Sequence, residues 1–221
     1  MDILVVDIGG TNVKMLASGQ EKRRKFVSGQ KLTPDKLVDG VRRTTADWKW
    51  DRVTVGIPAM VRAGRVVLEP KNLGPGWIDF DFEKAFGMPT KVINDAAMQA
   101  LGSYQDGGTM LFMGLGTGLG TALVADRHVL PLECAHLPYR DGTFEDHVGE
   151  RGLLKFGRRK WQEHVADITE RLRLALVADY VVIGGGNVKK LQELPQHAHA
   201  GNNRYAFFGG FRLWEDSGYR A

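Results

Sequence analysis

Apolar residues in this chain gather in short runs separated by polar and glycine-rich stretches. Ile3 to Val6 is one run and Val13 to Ala17 the next, with Asp7-Ile8-Gly9-Gly10-Thr11-Asn12 between them. That order predicts a strand, a tight turn and an antiparallel return strand. Residues 2–29 read as three strands, with Gln20 to Arg24 as the second turn. Thr33-Pro34-Asp35 opens a helix running to about Trp48, because it sets a Thr cap, Pro at the first helical position and an acid in the first turn. Arg52 to Ile57 is rich in β-branched residues and predicts a buried strand that Pro58 to Val61 continues. Arg65 to Leu68 predicts another strand after the turn at Ala63-Gly64. Glu69 to Trp77 is a loop held by Pro and Gly, and Asp81 to Phe86 a short helix. Lys91 to Asn94 is a strand that delivers Asn94-Asp95 to a helix ending near Tyr104, and Gln105-Asp106-Gly107-Gly108 is a turn.

The opening grammar then returns. Met110 to Val124 is again a buried strand, a Gly/Thr turn and a return strand, and two such hairpins point to an internal duplication. Val129 to Cys134 continues the β pattern. Phe144 to about Ala178 is mostly helical, broken at Gly149 to Gly152 and at Gly157. Trp161, Val165, Ile168, Leu172 and Leu176 recur every three or four residues, which marks one buried helical face. Tyr180 to Ile183 is a strand entering Gly184-Gly185-Gly186, with a helix expected from Asn187 to Leu194. Phe207, Phe208, Phe211 and Trp214 make the tail, Asn202 to Arg220, a docked segment. The alternation is that of an α/β protein, divided at the Gly107-Gly108 turn into residues 1–108 and 109–221.

Both turns have a chemistry to offer. Gly9 and Gly10 allow dihedrals that a Cβ would forbid, and they leave backbone N–H groups open to an oxyanion. Thr11 and Asn12 add side-chain donors, and Asp7 can hold Mg²⁺ through water. Two such hairpins suggest a phosphate donor clamped between two halves. Asn94-Asp95, at a strand-to-helix junction, reads either as a helix N-cap or as a catalytic carboxylate. Composition changes this picture little: 43% hydrophobic and 25% charged residues among 221 describe a globular chain, and a net charge of +4 bounds partners weakly. The basic clusters at Lys155 to Lys160 and Lys22 to Lys25 read as solvated surface. No zinc-finger or RNP-like pattern invites nucleic acid, no apolar run approaches the ~20 residues of a membrane helix, and the start has no signal-peptide pattern. A single cysteine, Cys134, excludes an intramolecular disulfide. Cytoplasm is the expected compartment.

Together these segments resemble the ROK sugar kinases of the actin/hexokinase/Hsp70 ATPase superfamily. Asp7 to Lys14 looks like the first phosphate motif and Gly114 to Thr121 the second; Asn72-Leu73, Asn94-Asp95, Glu133 to His136 and Ile183 to Gly186 follow the family's order. The compact length and the region after His136 look closest to the polyphosphate glucokinase-like branch. The resemblance implies a two-lobed, duplicated ribonuclease H-like (actin/hexokinase-type) fold, with the active site in the interlobe cleft. It implies a hexose kinase, most of all a glucokinase, using ATP or polyphosphate with Mg²⁺ near Asp7. Asp95 would be the general base. Asn72, Asn94, Glu133, His136 and Glu145 would bind the hexose, with Glu150 a rival for the last place. Gly9, Gly10, Thr11, Asn12 and Lys14, together with Gly116, Thr117 and Gly118, would hold phosphates, and Gly184, Gly185 and Gly186 would receive the rest of the donor. In the zinc-containing relatives a Glu-x-Gly-His motif precedes a Cys-rich loop. Here Ala135 replaces the Gly and that loop is missing, so no zinc site of that type is expected. A homodimer is implied. The competing expectation is a ROK-like sensor that binds sugar or nucleotide without turnover.

Overall fold

The computed structural model describes residues 1–105 and 107–215. Asp106 of the expected turn and residues 216–220 of the expected tail lie outside the described residues.

The first sheet begins as an antiparallel meander of β1 (Ile3–Ile8), β2 (Asn12–Ala17) and β3 (Arg24–Val27). The register pairs Asp7 with Lys14 and Lys14 with Lys25. Helix α1 (Pro34–Thr44) then crosses to β4 (Arg52–Ile57), parallel to β1. A small ribbon follows, β5 (Val61–Arg62) with β6 (Arg65–Val66), and then α2 (Phe82–Phe86). Strand β7 (Thr90–Asn94) adds in parallel to β4, and α3 (Asp95–Ser103) leaves its end. The sheet order is β3-β2-β1-β4-β7.

The second sheet repeats this plan. Its meander is β8 (Met110–Leu115), β9 (Leu119–Ala125) and β10 (His128–Leu132). A ribbon of β11 (Pro138–Tyr139) and β12 (Gly142–Thr143), a turn of helix α4 (Phe144–Val148) and the long α5 (Glu150–Ala175) cross to β13 (Tyr180–Gly184). Strand β14 (Ala198–Ala200) and helix α6 (Tyr205–Arg212) end it. The order β10-β9-β8-β13-β14 is the same as in the first sheet, strand for strand.

Several elements are shorter than the hydrophobic pattern suggests. Helix α1 stops at Thr44, where the Thr45 hydroxyl turns back to the Val41 carbonyl at 2.8 Å and residues 45–47 form a turn instead of running to Trp48. Strand β4 stops at Ile57 before Pro58, and the strand at Arg65 holds only two residues. Strand β10 ends at Leu132, and Cys134 to His136 form a 3₁₀ turn. The expected helix from Asn187 to Leu194 is a single 3₁₀ turn, Val188–Lys190. The breaks in the long helix stand in part: Gly149 separates α4 from α5 and Gly157 is non-helical at φ 74°, but Glu150 to Gly152 already belong to α5. Trp161, Val165, Ile168 and Leu172 are buried along α5, while Leu176 caps its end half-buried.

Three apolar clusters hold the molecule. One lies between the first sheet and α1 with α2, and includes Leu4, Val6, Ile8, Leu37 and Trp77. One lies between the second sheet and α5, and includes Leu111, Met113, Trp161 and Val165. The third joins the sheets through α3 and α6, drawing in Val5, Met98, Leu101, Phe112 and Phe207. Helices α3 and α6 cross at glycines. A Cβ on Gly102 would lie 1.8 Å from the Tyr205 carbonyl oxygen, and one on Gly209 would lie 1.8 Å from that of Met98.

Candidate active site

The first turn is tied down from behind. Gly9 N–H donates to the Asn12 carbonyl at 3.0 Å. Ser28, just past β3, donates its hydroxyl to the Gly9 carbonyl at 2.5 Å and its N–H to that of Thr11 at 3.0 Å. Gly10 and Thr11 are left exposed at the tip. Asn72 stands over that tip: a Cβ on Gly10 would lie 3.7 Å from the Asn72 Cβ. Below it, Lys14 Nζ pairs with Asp7 Oδ2 at 3.2 Å.

Helix α3 brings the candidate base to the same end of the sheet. Asn94 is its cap, accepting Ala97 N–H at 3.1 Å while its amide donates to the Ala59 carbonyl at 3.1 Å. Asp95 is therefore not the N-cap, although one of its oxygens accepts Ala96 N–H at 2.8 Å. Burial pushes the Asp95 carboxyl up to about 7, with the charge of Asp7 and, more weakly, of Glu133 adding to the rise and the N–H of Ala96 opposing it. The carboxylates of Asp7 and Glu133 thus lie near enough for their charge to be felt at Asp95. Glu133 and His136, at either end of the 3₁₀ turn, are exposed and lie 3.9 Å apart. Cys134 between them is half-buried, and burial raises its thiol.

The second turn is braced more heavily than the first. Gly116 N–H closes it onto the Gly118 carbonyl at 3.0 Å. The Gly116 carbonyl accepts the Asn187 side chain at 3.0 Å and Glu150 N–H at 3.0 Å. Glu145 Oε2 accepts Leu119 N–H at 3.1 Å. That approach exists only because Gly118 has no side chain, since a Cβ there would lie 2.1 Å from the same oxygen. Glu145 and Glu150 are thereby told apart: Glu145 reaches the turn with its carboxylate, whereas Glu150 reaches it with its backbone alone.

The glycines after β13 divide in the same way. A Cβ on Gly184 would meet the Phe112 ring at 2.8 Å, and one on Gly185, at φ +85°, would meet the Leu115 carbonyl at 2.2 Å. Both are required for packing against β8. Gly186 faces open space. Among the described residues no three His, Cys, Asp or Glu side chains are grouped to hold a metal ion. Two surface grooves of about 730 and 710 Å³ lie elsewhere on the first sheet's half, and Asp95 lines neither.

Ser28 and Asn187, which bind the backs of the two turns, were not singled out as site residues from the sequence. Asn187 carried a weak signal, since it directly follows the Gly184–Gly186 run. Ser28 carried none, because nothing in a serine after a strand marks a partner 19 residues away.

Two matching sheets, each opened by a glycine hairpin and joined through paired helices, define a duplicated α/β fold of the ribonuclease H-like, actin/hexokinase type. The sequence model of the ROK family matches residues 3–131, and the chain belongs to that family. Solved structures agree on the fold. A polyphosphate/ATP-glucomannokinase from Arthrobacter sp. strain KM superposes with a TM-score of 0.82 at 21% identity, over 96% of this chain and 97% of its own. A ROK family glucokinase from Streptomyces griseus, in complex with glucose and AMPPNP, gives 0.73 at 16% identity over 96% and 99%. A protein from Listeria monocytogenes described as a putative N-acetylmannosamine kinase gives 0.77 at 16% over 96% and 98%. A search of curated proteins finds no match.

Proposed function

We propose that this ROK protein is a hexose kinase, a glucokinase in its preferred reaction, that moves a phosphoryl group from ATP or polyphosphate to a hexose 6-hydroxyl. The observation that carries the reading is Asp95, a carboxyl pushed up to about 7 beside Asp7 and Glu133. A base with that affinity for protons is matched to work near neutrality. Asp95 takes the hydroxyl proton as the sugar oxygen bonds to the terminal phosphorus. The bond to the bridging oxygen breaks, and ADP or a shortened polyphosphate leaves.

Asn72, Glu133, His136 and Glu145 are the further candidates for hydroxyl partners, and Asn94 has one amide hydrogen and one lone pair beyond its cap duties. Gly10, Thr11, Asn12 and Lys14 hold donor phosphates from one side and Thr117 and Gly118 from the other, while Gly9 and Gly116, whose N–H groups close their own turns, set the shape of the two loops. Of the third glycine run, Gly186 is the member open to the donor, while Gly184 and Gly185 set its position. Asp7 Oδ2 is engaged by Lys14, which leaves Oδ1 to a hydrated Mg²⁺. That ion, when bound with the donor, neutralises phosphate charge. The single cysteine fits a cytoplasmic setting, where disulfides are rare. The family resemblance supports a homodimer.

The test is a hexose panel with Mg²⁺ and either donor. Wild type should phosphorylate one hexose best, and Asp95→Asn should lower its kcat by about 10²- to 10⁴-fold, with hexose still raising the Tm of the variant. No turnover on any hexose with either donor, together with hexose-dependent stabilisation, would make the protein a sensor and Asp95 a structural carboxyl.

A further inference from the structure

We propose that the Glu145 carboxylate is a gate on the second phosphate turn, which keeps the donor out until the acceptor sugar is in place. The proposal rests on the kinase reading above and goes beyond it. Leu119 N–H stands at the end of the turn where a donor oxygen would be received, and Glu145 Oε2 already occupies it at 3.1 Å. Gly118 is shaped to allow this, since any side chain there would expel the carboxylate. A donor phosphate and this carboxylate would be two anions on one N–H. At a separation of a few ångströms two such like charges repel.

The backbone that carries Glu145 is fixed. Thr143 and Asp146 form a capping box at the start of α4. Gly149 N–H donates to the Glu145 carbonyl at 2.8 Å, and Glu150 N–H is held by the carbonyls of Gly116 and Thr117. His147, buried, spans the Thr143 carbonyl at 2.9 Å and Asp141 Oδ1 at 3.0 Å. The Glu145 carboxylate itself is held to the turn through Leu119 N–H. A carboxylate can accept several hydrogen bonds and Leu119 offers one. Two sugar hydroxyls outbid that single N–H, draw the carboxylate away and open the turn. The donor then binds to a site in which the acceptor has already displaced water, so water does not take the phosphoryl group in its stead.

Binding of Mg²⁺-tripolyphosphate, measured by calorimetry with and without the hexose that wild type phosphorylates, tests this. In wild type the hexose should tighten tripolyphosphate about tenfold, within the usual range of coupling, and tripolyphosphate should tighten the hexose by the same factor. Glu145→Gln keeps the side-chain size and removes the charge. It should bind tripolyphosphate about tenfold tighter than wild type without hexose, and hexose should then add less than twofold. Glu145→Ala should move in the same direction. Mere damage to the turn would weaken binding in both variants, so the sign of the change separates a gate from a brace. If wild type phosphorylates a hexose yet both variants bind tripolyphosphate no tighter than wild type without it, the gate is wrong and the kinase stands. If wild type phosphorylates no hexose, the kinase reading fails and the gate fails with it.

Discussion

At the scale of single residues the molecule keeps a carboxyl where folding alone would not put one. An unfolded Asp titrates near ~3.9, and Asp95 in the fold titrates at about 7. Below pH ~4 the proton is bound in both states. Between the two values only the folded state holds it, so stability falls as pH rises from ~4 through 7, and above that the loss is complete. A shift of this size, discounted for the partial exposure of Asp95, amounts to roughly 2 kcal/mol. Asp95→Asn should therefore leave Tm nearly unchanged at pH 4 and raise it by several degrees at pH 8, read by thermal melts across that range. In the wild-type enzyme the same group should make kcat/KM fall about tenfold per pH unit below 7. A Tm difference independent of pH would show that Asp95 titrates normally. Both glycine turns and the Asn94-Asp95 pair were legible in the sequence because their chemistry is local. The pair's division of labour was not, since either residue could cap a helix, and the cap bonds of Asn94 settle which one does.

At the scale of elements, local signals placed most strands and helices and misjudged their ends. The helix start at Thr33-Pro34 and the breaks at Gly149 and Gly157 are backbone events with a residue signature and they stand, although the Thr33 side chain makes no capping hydrogen bond. The helix expected after Gly186 collapses to one 3₁₀ turn, because Asn187 is drawn into the second hairpin, its N–H to Leu115 and its side chain to Gly116. No local propensity reports such a bond. The crossing of α3 and α6 was equally silent. Gly102 and Gly209 are unremarkable as letters, yet each admits the other helix's backbone, and their reciprocal contact reflects the duplication that relates the two helices. Neither position has a positive φ, so alanine would be welcome in either helix taken alone. In the assembled pair it would have to push the helices apart. Gly102→Ala and Gly209→Ala should each cost about 3 kcal/mol, measured by urea titration, against the ~1 kcal/mol gain that propensity alone predicts. A stabilising result at either site would mean that the helices do not meet as described.

At the scale of the whole molecule the duplication and the shared core pull in opposite directions. Each sheet has its own outer cluster, one with α1 and one with α5, which invites two independently folding halves. The third cluster denies them independence, because α6 follows the last strand of the second sheet yet packs on β1 and α3. Thr54 on β4 fastens this return: its hydroxyl donates to the Gly210 carbonyl at 2.8 Å and accepts the Trp214 indole N–H at 2.8 Å. The two contacts span 156 and 160 residues of chain, so closing them orders nearly the whole molecule at once. Unfolding in urea should consequently be a single transition, with far-UV dichroism and tryptophan fluorescence coincident. Ending the chain before Tyr205 removes α6, uncovers Val5, Met98 and Leu101, and leaves α3 without its partner helix to join the sheets. The truncated chain should lose coincidence between the two probes and show a lower m-value for each half. Asp95 opens α3 at the end of the first sheet and Glu145 lies on α4 against the second, so the shared helices hold the proposed base and the proposed gate in register. If the truncated chain unfolds in one transition with the full m-value, the coupling runs through some contact other than α6.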